Sequence, residues 1–97
     1  MFDLIVIIRV PETDNIAPVA DALARMRPLC LDEDGCVSWE AYQSEEPGRF
    51  VLVERWASRA AWEAHDAGDA IQKIYVPEIM PRIEREVHPS TPVSDAR

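Results

Sequence analysis

The stretch "FVLVERWASRAAWEAH", Phe50 to His65, decides the fold. Its first half alternates, and a period of two sets Phe50, Leu52, Glu54 and Trp56 on one face of a strand. At Ala57-Ser58 the pattern changes, and Ala61, Trp62 and His65 follow at helical spacing. Ser58 suits the N-cap of that helix, with Ala57 and Trp62 at the two positions of a hydrophobic staple. A strand that runs straight into a helix gathers two of the three tryptophans and one of the two histidines at one corner. Such a corner either fills a core or lines a pocket.

Upstream, "CVSWEAYQ", Cys36 to Gln43, alternates as a strand, with Val37, Trp39 and Ala41 against Ser38, Glu40 and Tyr42. "SEEPG" turns it into the next strand around Pro47-Gly48. Earlier still, Ile16, Val19, Ala20, Leu23, Met26 and Cys30 form one apolar stripe at helical period. Asp14 or Asn15 caps that helix, Pro18 is tolerated in its first turn, and Pro28 ends or kinks it near the last. Gly35 gives the following loop its turn. The first strand, Leu4 to Val10, is apolar on both faces: Leu4, Val6 and Ile8 on one, Ile5 and Ile7 on the other. Burial on both sides of the sheet follows.

Downstream, the second helix is expected to run to Gly68. Asp69 and Gln72 then read as a second capping box, opening a short helix with Ile71, Ile74 and Tyr75 inward and stopped by Pro77 and Pro81. "RIEREVH", Arg82 to His88, alternates as a fourth strand. The order βαββαβ is the ferredoxin-like α+β pattern, a four-stranded antiparallel sheet with its helices on one face. Helices on one face and apolar strands on both predict a homodimer joined sheet to sheet. Residues 1–89 form the one domain, and 90–97 a tail that is loose or lies over a neighbour.

Ten basic against 18 acidic side chains give a net charge of −8. That surface repels phosphate backbones and anionic membranes, which excludes nucleic acid as a partner class. The acid runs Asp32-Glu33-Asp34 and Glu45-Glu46 read as solvated loop charge. The N-terminal apolar run is too short to span a membrane. Cys30 and Cys36 form neither a disulfide framework nor a CxxC motif, and two histidines do not build a zinc site. Reduced thiols in a cytoplasmic protein, with no metal, are the expectation.

The corner admits two accounts. Leu52, Glu54, Trp56, Trp62, His65 and Tyr75 together describe an aromatic pocket with one imidazole and one carboxylate, a common make-up for a small-molecule site. Taken singly, Trp56 and Trp62 read as core, His65 as bonded to a backbone carbonyl, and Glu54 as paired with an arginine across the sheet. Tyr75 reads as a core filler with its hydroxyl at the surface. Only convergence on one space would favour the pocket.

"GCVSWEAYQSEEPGRFVLVERWASRAAWEAH" resembles the antibiotic biosynthesis monooxygenase domain family, through Tyr42, the hairpin, Glu54-x-Trp56-x-Ser58 and Ala64-His65. The resemblance implies a dimeric α+β barrel with one pocket per subunit. In its oxygenase branch it implies oxidation of quinols, anthrones or phenols by O₂ with no metal, flavin or other cofactor. On that basis His65 is the general base, Trp56 and Trp62 sandwich or edge the substrate, and Leu52 lines the floor. Leu52 stands where one oxygenase branch has asparagine. The haem-degrading branch uses Asn, Trp and His; here those places fall at Ile5 to Ile8, at His65 and near Tyr75, so haem breakdown is not implied. A non-catalytic dimeric binding module and a proton-transfer isomerase or lyase on the same fold remain as alternatives.

Overall fold

A computed structural model describes residues 1–94. Strand β1 (Phe2–Arg9) lies inside a four-stranded sheet with β2 (Cys36–Gln43), β3 (Arg49–Trp56) and β4 (Glu84–Ser90). The order is β2-β3-β1-β4, and every pairing is antiparallel. With helices α1 (Ile16–Leu31) and α2 (Arg59–His65) between strands, this is the expected ferredoxin-like fold. The end of the expected tail, Asp95 to Arg97, lies outside the described residues. Among those described, no helix is long and apolar enough to cross a membrane.

Alternation dictates the layers. Leu4, Val6 and Ile8 of β1 and Phe50, Leu52 and Trp56 of β3 are buried in one cluster with Val19, Leu23, Met26 and Cys30 of α1. Register pairs Val6 with Leu52 and Ile8 with Phe50, so the two apolar rows meet side by side beneath α1. On the opposite face Ile5, Ile7 and Val51 are half-buried and Val53 is exposed. Within one chain, therefore, only the helix-covered face is sealed.

Several local expectations are corrected. A bulge between Cys36 and Ser38 shifts the phase of β2, so Trp39 is buried while Val37 stands exposed. Asn15 occupies the N-cap position of α1, but neither it nor Asp14 makes a side-chain cap bond. Pro28 sits inside the last turns of α1, which continues to Leu31. Ser58 does cap α2, accepting from the Ala61 N–H at 3.1 Å. That helix ends at His65 rather than Gly68, because turns closed by Ala67 N–H to Ala64 O and Gly68 N–H to His65 O take over.

The expected capping box at Asp69 does not form. Gln72 donates back to the Asp66 carbonyl at 2.7 Å, and Asp69 pairs with Lys73. The segment Ala70–Ile79 is a π-helix, and Pro77 lies within it instead of stopping it. Its wider turn bonds an N–H five residues back, as Met80 N–H does to Tyr75 O, and so does not impose the four-residue clash that a proline ring meets in an α-helix. Ile74 and Tyr75 still face inward, as their spacing implies. α1 packs against this segment, and Arg25 ties them through Glu78.

Candidate functional site

The layers do not close completely between β3, α2 and the π-helical segment. A cavity of about 330 Å³ remains, within the range of small-molecule sites. Leu52, Glu54, Trp62, His65 and Tyr75 all line it. Five of the six candidate residues therefore share one space. Trp39, Met26 and Ile71 add to its apolar wall, as do Leu4 and Val6 of β1 and Val87 of β4.

Trp56 is the exception. It is wholly buried and does not line the cavity. It stands behind the wall: its Nε1–H donates to Glu54 Oε1 at 3.0 Å, and its ring lies 4.7 Å from that of His65 at a tilt of 39°. An indole at this depth gives a buried carboxyl the partner it needs. Glu54 accordingly takes no arginine, since Arg55 pairs instead with Asp3 at 2.6 Å on the other face. Burial pushes the Glu54 pKa up, opposed by the Trp56 bond and the His65 charge. Trp39, opposite Glu54 across the strands, also favours the charged form. Its Nε1–H nevertheless makes no hydrogen bond of ordinary geometry and is the one buried polar side-chain atom without a partner among the described residues.

His65 bonds no backbone carbonyl through its ring. Its Nδ1 lies 2.5 Å from Glu33 Oε1, in the turn after α1. Cys30 completes a group whose sulfur, oxygen and nitrogen donors lie within 4.8 Å of one another. Desolvation raises the pKa of the Cys30 thiol above its usual range and that of Cys36 to about 11, so both stay protonated near neutrality. With the thiol protonated and Glu33 bonded to His65, the group is arranged as a hydrogen-bonded dyad beside a thiol. Both cysteines are free.

Tyr75 is buried, and its hydroxyl does not reach the surface alone: it accepts from Arg85 Nη1 at 3.1 Å. Arg85, on β4, lines the cavity and has no carboxylate partner among the described residues. Trp62 is fixed from outside, stacked on Phe2 at 5.0 Å with the Arg59 guanidinium over both rings. The site is thus an apolar and aromatic cavity whose polar lining comes from Glu54, His65, Asp66, Tyr75 and Arg85.

A family model described as "Antibiotic biosynthesis monooxygenase" matches residues 1–75. The chain belongs to the antibiotic biosynthesis monooxygenase family. Among relatives, the Mycobacterium tuberculosis protein named "Putative monooxygenase Rv0793" is 41% identical over 56 residues, 50% of this chain. That match spans about half, 54%, of the relative's length. Its solved structure aligns over all of both chains at 23% identity with a TM-score of 0.79. A crystal structure of an antibiotic biosynthesis monooxygenase aligns at a TM-score of 0.87 and 23% identity, covering 97% of this chain and all of its own. Protein SO0527 of Shewanella oneidensis aligns at 0.75 and 29% identity, covering 92% of this chain and 90% of its own. The likenesses at 23% establish the fold that the family shares.

Within this family member, sequence reasoning missed Glu33, Trp39 and Arg85. Glu33 lies between Asp32 and Asp34, and the run as a whole reads as solvated loop charge. Its burial signal was the spacing to Cys30, one turn back on the inward stripe. Alternation groups Trp39 with Val37 and Ala41 without showing which face turns inward, and it gives no sign of the cavity. Arg85 alternates with Val87 toward the helices, as pairing with Ile8 and Val6 requires, yet a charged residue gives no inward signal.

Proposed function

We propose that the chain is a cofactor-independent monooxygenase that oxidises a small electron-rich aromatic, a quinol, anthrone or phenol, with O₂ in the cavity between sheet and helices. The observation that carries this reading is the convergence of Trp62, His65, Tyr75 and Leu52 on one space. Aromatic walls hold a flat ring and lower the local dielectric. For an anthrone, His65 removes a proton from the activated CH₂. The carbanion passes one electron to O₂, the radical pair joins as a C–O bond, and the peroxide anion so formed takes the proton back from His65. The resulting hydroperoxide loses water, so CH₂ and O₂ become C=O and H₂O, with the substrate as reductant. Burial favours the protonated form of Glu54, which can donate a hydrogen bond to an oxygen at the cavity floor.

Membership of the family and the partly apolar outer sheet face, with Ile5, Ile7, Val51 and Val53, support a homodimer joined through that face. Trp56 acts in this reading by holding Glu54 and His65, not by touching substrate.

Oxygen uptake with a panel of dihydroxynaphthalenes and anthrones tests the proposal. Uptake above the spontaneous rate is expected, falling about a hundredfold or more in His65→Ala, the order a positioned base contributes. No uptake across the panel counts against it. Turnover that persists without oxygen would assign the site to proton-transfer isomerisation. Stabilisation by a panel compound without turnover would assign it to a binding module.

A further inference from the structure

His65 is held on two sides, and the two contacts leave one nitrogen free. The Trp56 ring covers one part of the imidazole, and Glu33 Oε1 engages Nδ1 at 2.5 Å. Nε2 makes no hydrogen bond, yet it is not a sealed orphan, and His65 lines the cavity. Glu33 itself is fixed. Its N–H bonds the Cys30 carbonyl and its own carbonyl accepts from Cys36 N–H, while its side chain is only 20% exposed.

A second observation concerns Gly68. Its φ is not in the left-handed region, so backbone freedom does not explain a glycine there. A Cβ on Gly68 would come within 2.8 Å of Glu33 Oε2 and 3.3 Å of its Cδ. The missing side chain is the space that the carboxylate occupies. The two Glu33 oxygens are thus held separately, one on His65 and one against Gly68.

We infer that Glu33 is a positioning residue, which accepts the Nδ1–H of His65, selects that tautomer and so turns the Nε2 lone pair to the cavity. Gly68 is the gap that admits it. A carboxylate accepts only, so a neutral imidazole bonded to it must carry its proton on Nδ1. The inference rests on the proposed function for its catalytic meaning, because a base needs an unprotonated nitrogen facing its substrate. The tautomer itself can be read without any turnover.

Two-bond ¹⁵N–¹H correlation spectra of the full chain at pH 8.5 make the test. Wild type is expected to show His65 mainly as the Nδ1–H form. Glu33→Ala should shift it toward Nε2–H, whereas Glu33→Gln, whose amide oxygen can still accept, should keep most of the Nδ1–H form. Gly68→Ala, which touches neither partner covalently, should move the ratio part-way and have no added effect on a Glu33→Ala background. A wild-type ring that is mainly Nε2–H, one that stays doubly protonated, or a ratio unchanged in Glu33→Ala overturns the inference. With a turnover substrate, Glu33→Ala should lower kcat about tenfold to a hundredfold, part of what a positioned base supplies, with KM little changed. If no compound on the panel is oxidised, the proposed function fails while the tautomer spectra still decide the role of Glu33.

Discussion

Glu54→Gln isolates the cost of burying one carboxyl group. Glutamine has nearly the same shape and keeps a side-chain oxygen to accept from Trp56 Nε1, so the packing around the site is preserved. Wild-type Glu54 is 4% exposed, and burial lifts its pKa above 4.5. The sign follows from proton linkage. A raised folded pKa means that the native state holds the proton more tightly than the unfolded chain, so this contribution to stability is full below about 4.5 and is lost as pH rises through the folded value. Glutamine titrates nowhere. Relative to wild type, the variant should therefore gain stability with pH at up to about 1.4 kcal/mol per unit inside that window, then level off. With a urea slope of roughly 1 kcal/mol per molar for a domain this small, the two midpoints should separate by up to about 1.4 M per pH unit. Urea titrations of both proteins from pH 4 to 9 provide the measurement. Asp3, Glu40 and Glu78, whose arginine partners depress their pKa values, affect both proteins alike and cancel in the difference. Parallel curves, or wild type gaining on the variant as pH rises, would refute the account of Glu54 as a desolvated carboxyl.

Other perturbations probe the frame around it. Trp56→Phe removes the indole donor from a fully buried site and leaves Glu54 without its bond; a loss of about 3 kcal/mol is expected from cavity and hydrogen-bond terms together. For a chain this long that is a fall in Tm on the order of 15 °C, and a fall of only a few degrees in a thermal melt would contradict it. Gly35→Ala should destabilise by about 2 kcal/mol or more, since the residue sits at φ +83° and its Cβ would meet Ala61 Cβ at 2.5 Å. A melt at the wild-type temperature would show that the loop yields freely. His65→Ala should abolish most oxygen uptake while keeping the folded circular dichroism spectrum, because the helix Arg59–His65 ends at that residue.

Where local chemistry and tertiary packing agree, the fold was legible. β2 and β3 run over the residues that alternation and the Pro47-Gly48 turn imply, and Ser58 caps α2 as its position suggests. Reading failed where a single residue changes phase. One extra residue at the Cys36 bulge turns Val37 outward, and nothing in "CVSW" announces it. Pro77 reads as a stop because the rule for proline assumes an α-helix, and the wider π turn lies outside that assumption. The candidate site was half legible. Apolar and aromatic residues reveal their inward faces through periodicity, which brought Leu52, Trp62 and Tyr75 to the cavity. Charged residues do not, so no periodicity in the sequence marks Glu33 and Arg85 as site residues.

The position of Trp56 changes what an experiment at that residue can mean. It contacts Glu54 through its N–H and His65 through its ring, and it has no face on the cavity. Losing it would loosen two cavity groups at once, so a fall in activity would not distinguish a residue that touches substrate from one that holds those that do. Trp62 is different: it lines the cavity and is clamped from outside by Phe2 and Arg59. The two tryptophans that look equivalent in "ERWASRAAWEAH" therefore carry separate tasks, one supporting the acid–base pair and the other facing the guest. Their separation follows from the strand–helix turn at Ala57-Ser58: Trp56 ends the strand with its ring on His65, and Trp62 lies on the helix with its ring on Phe2.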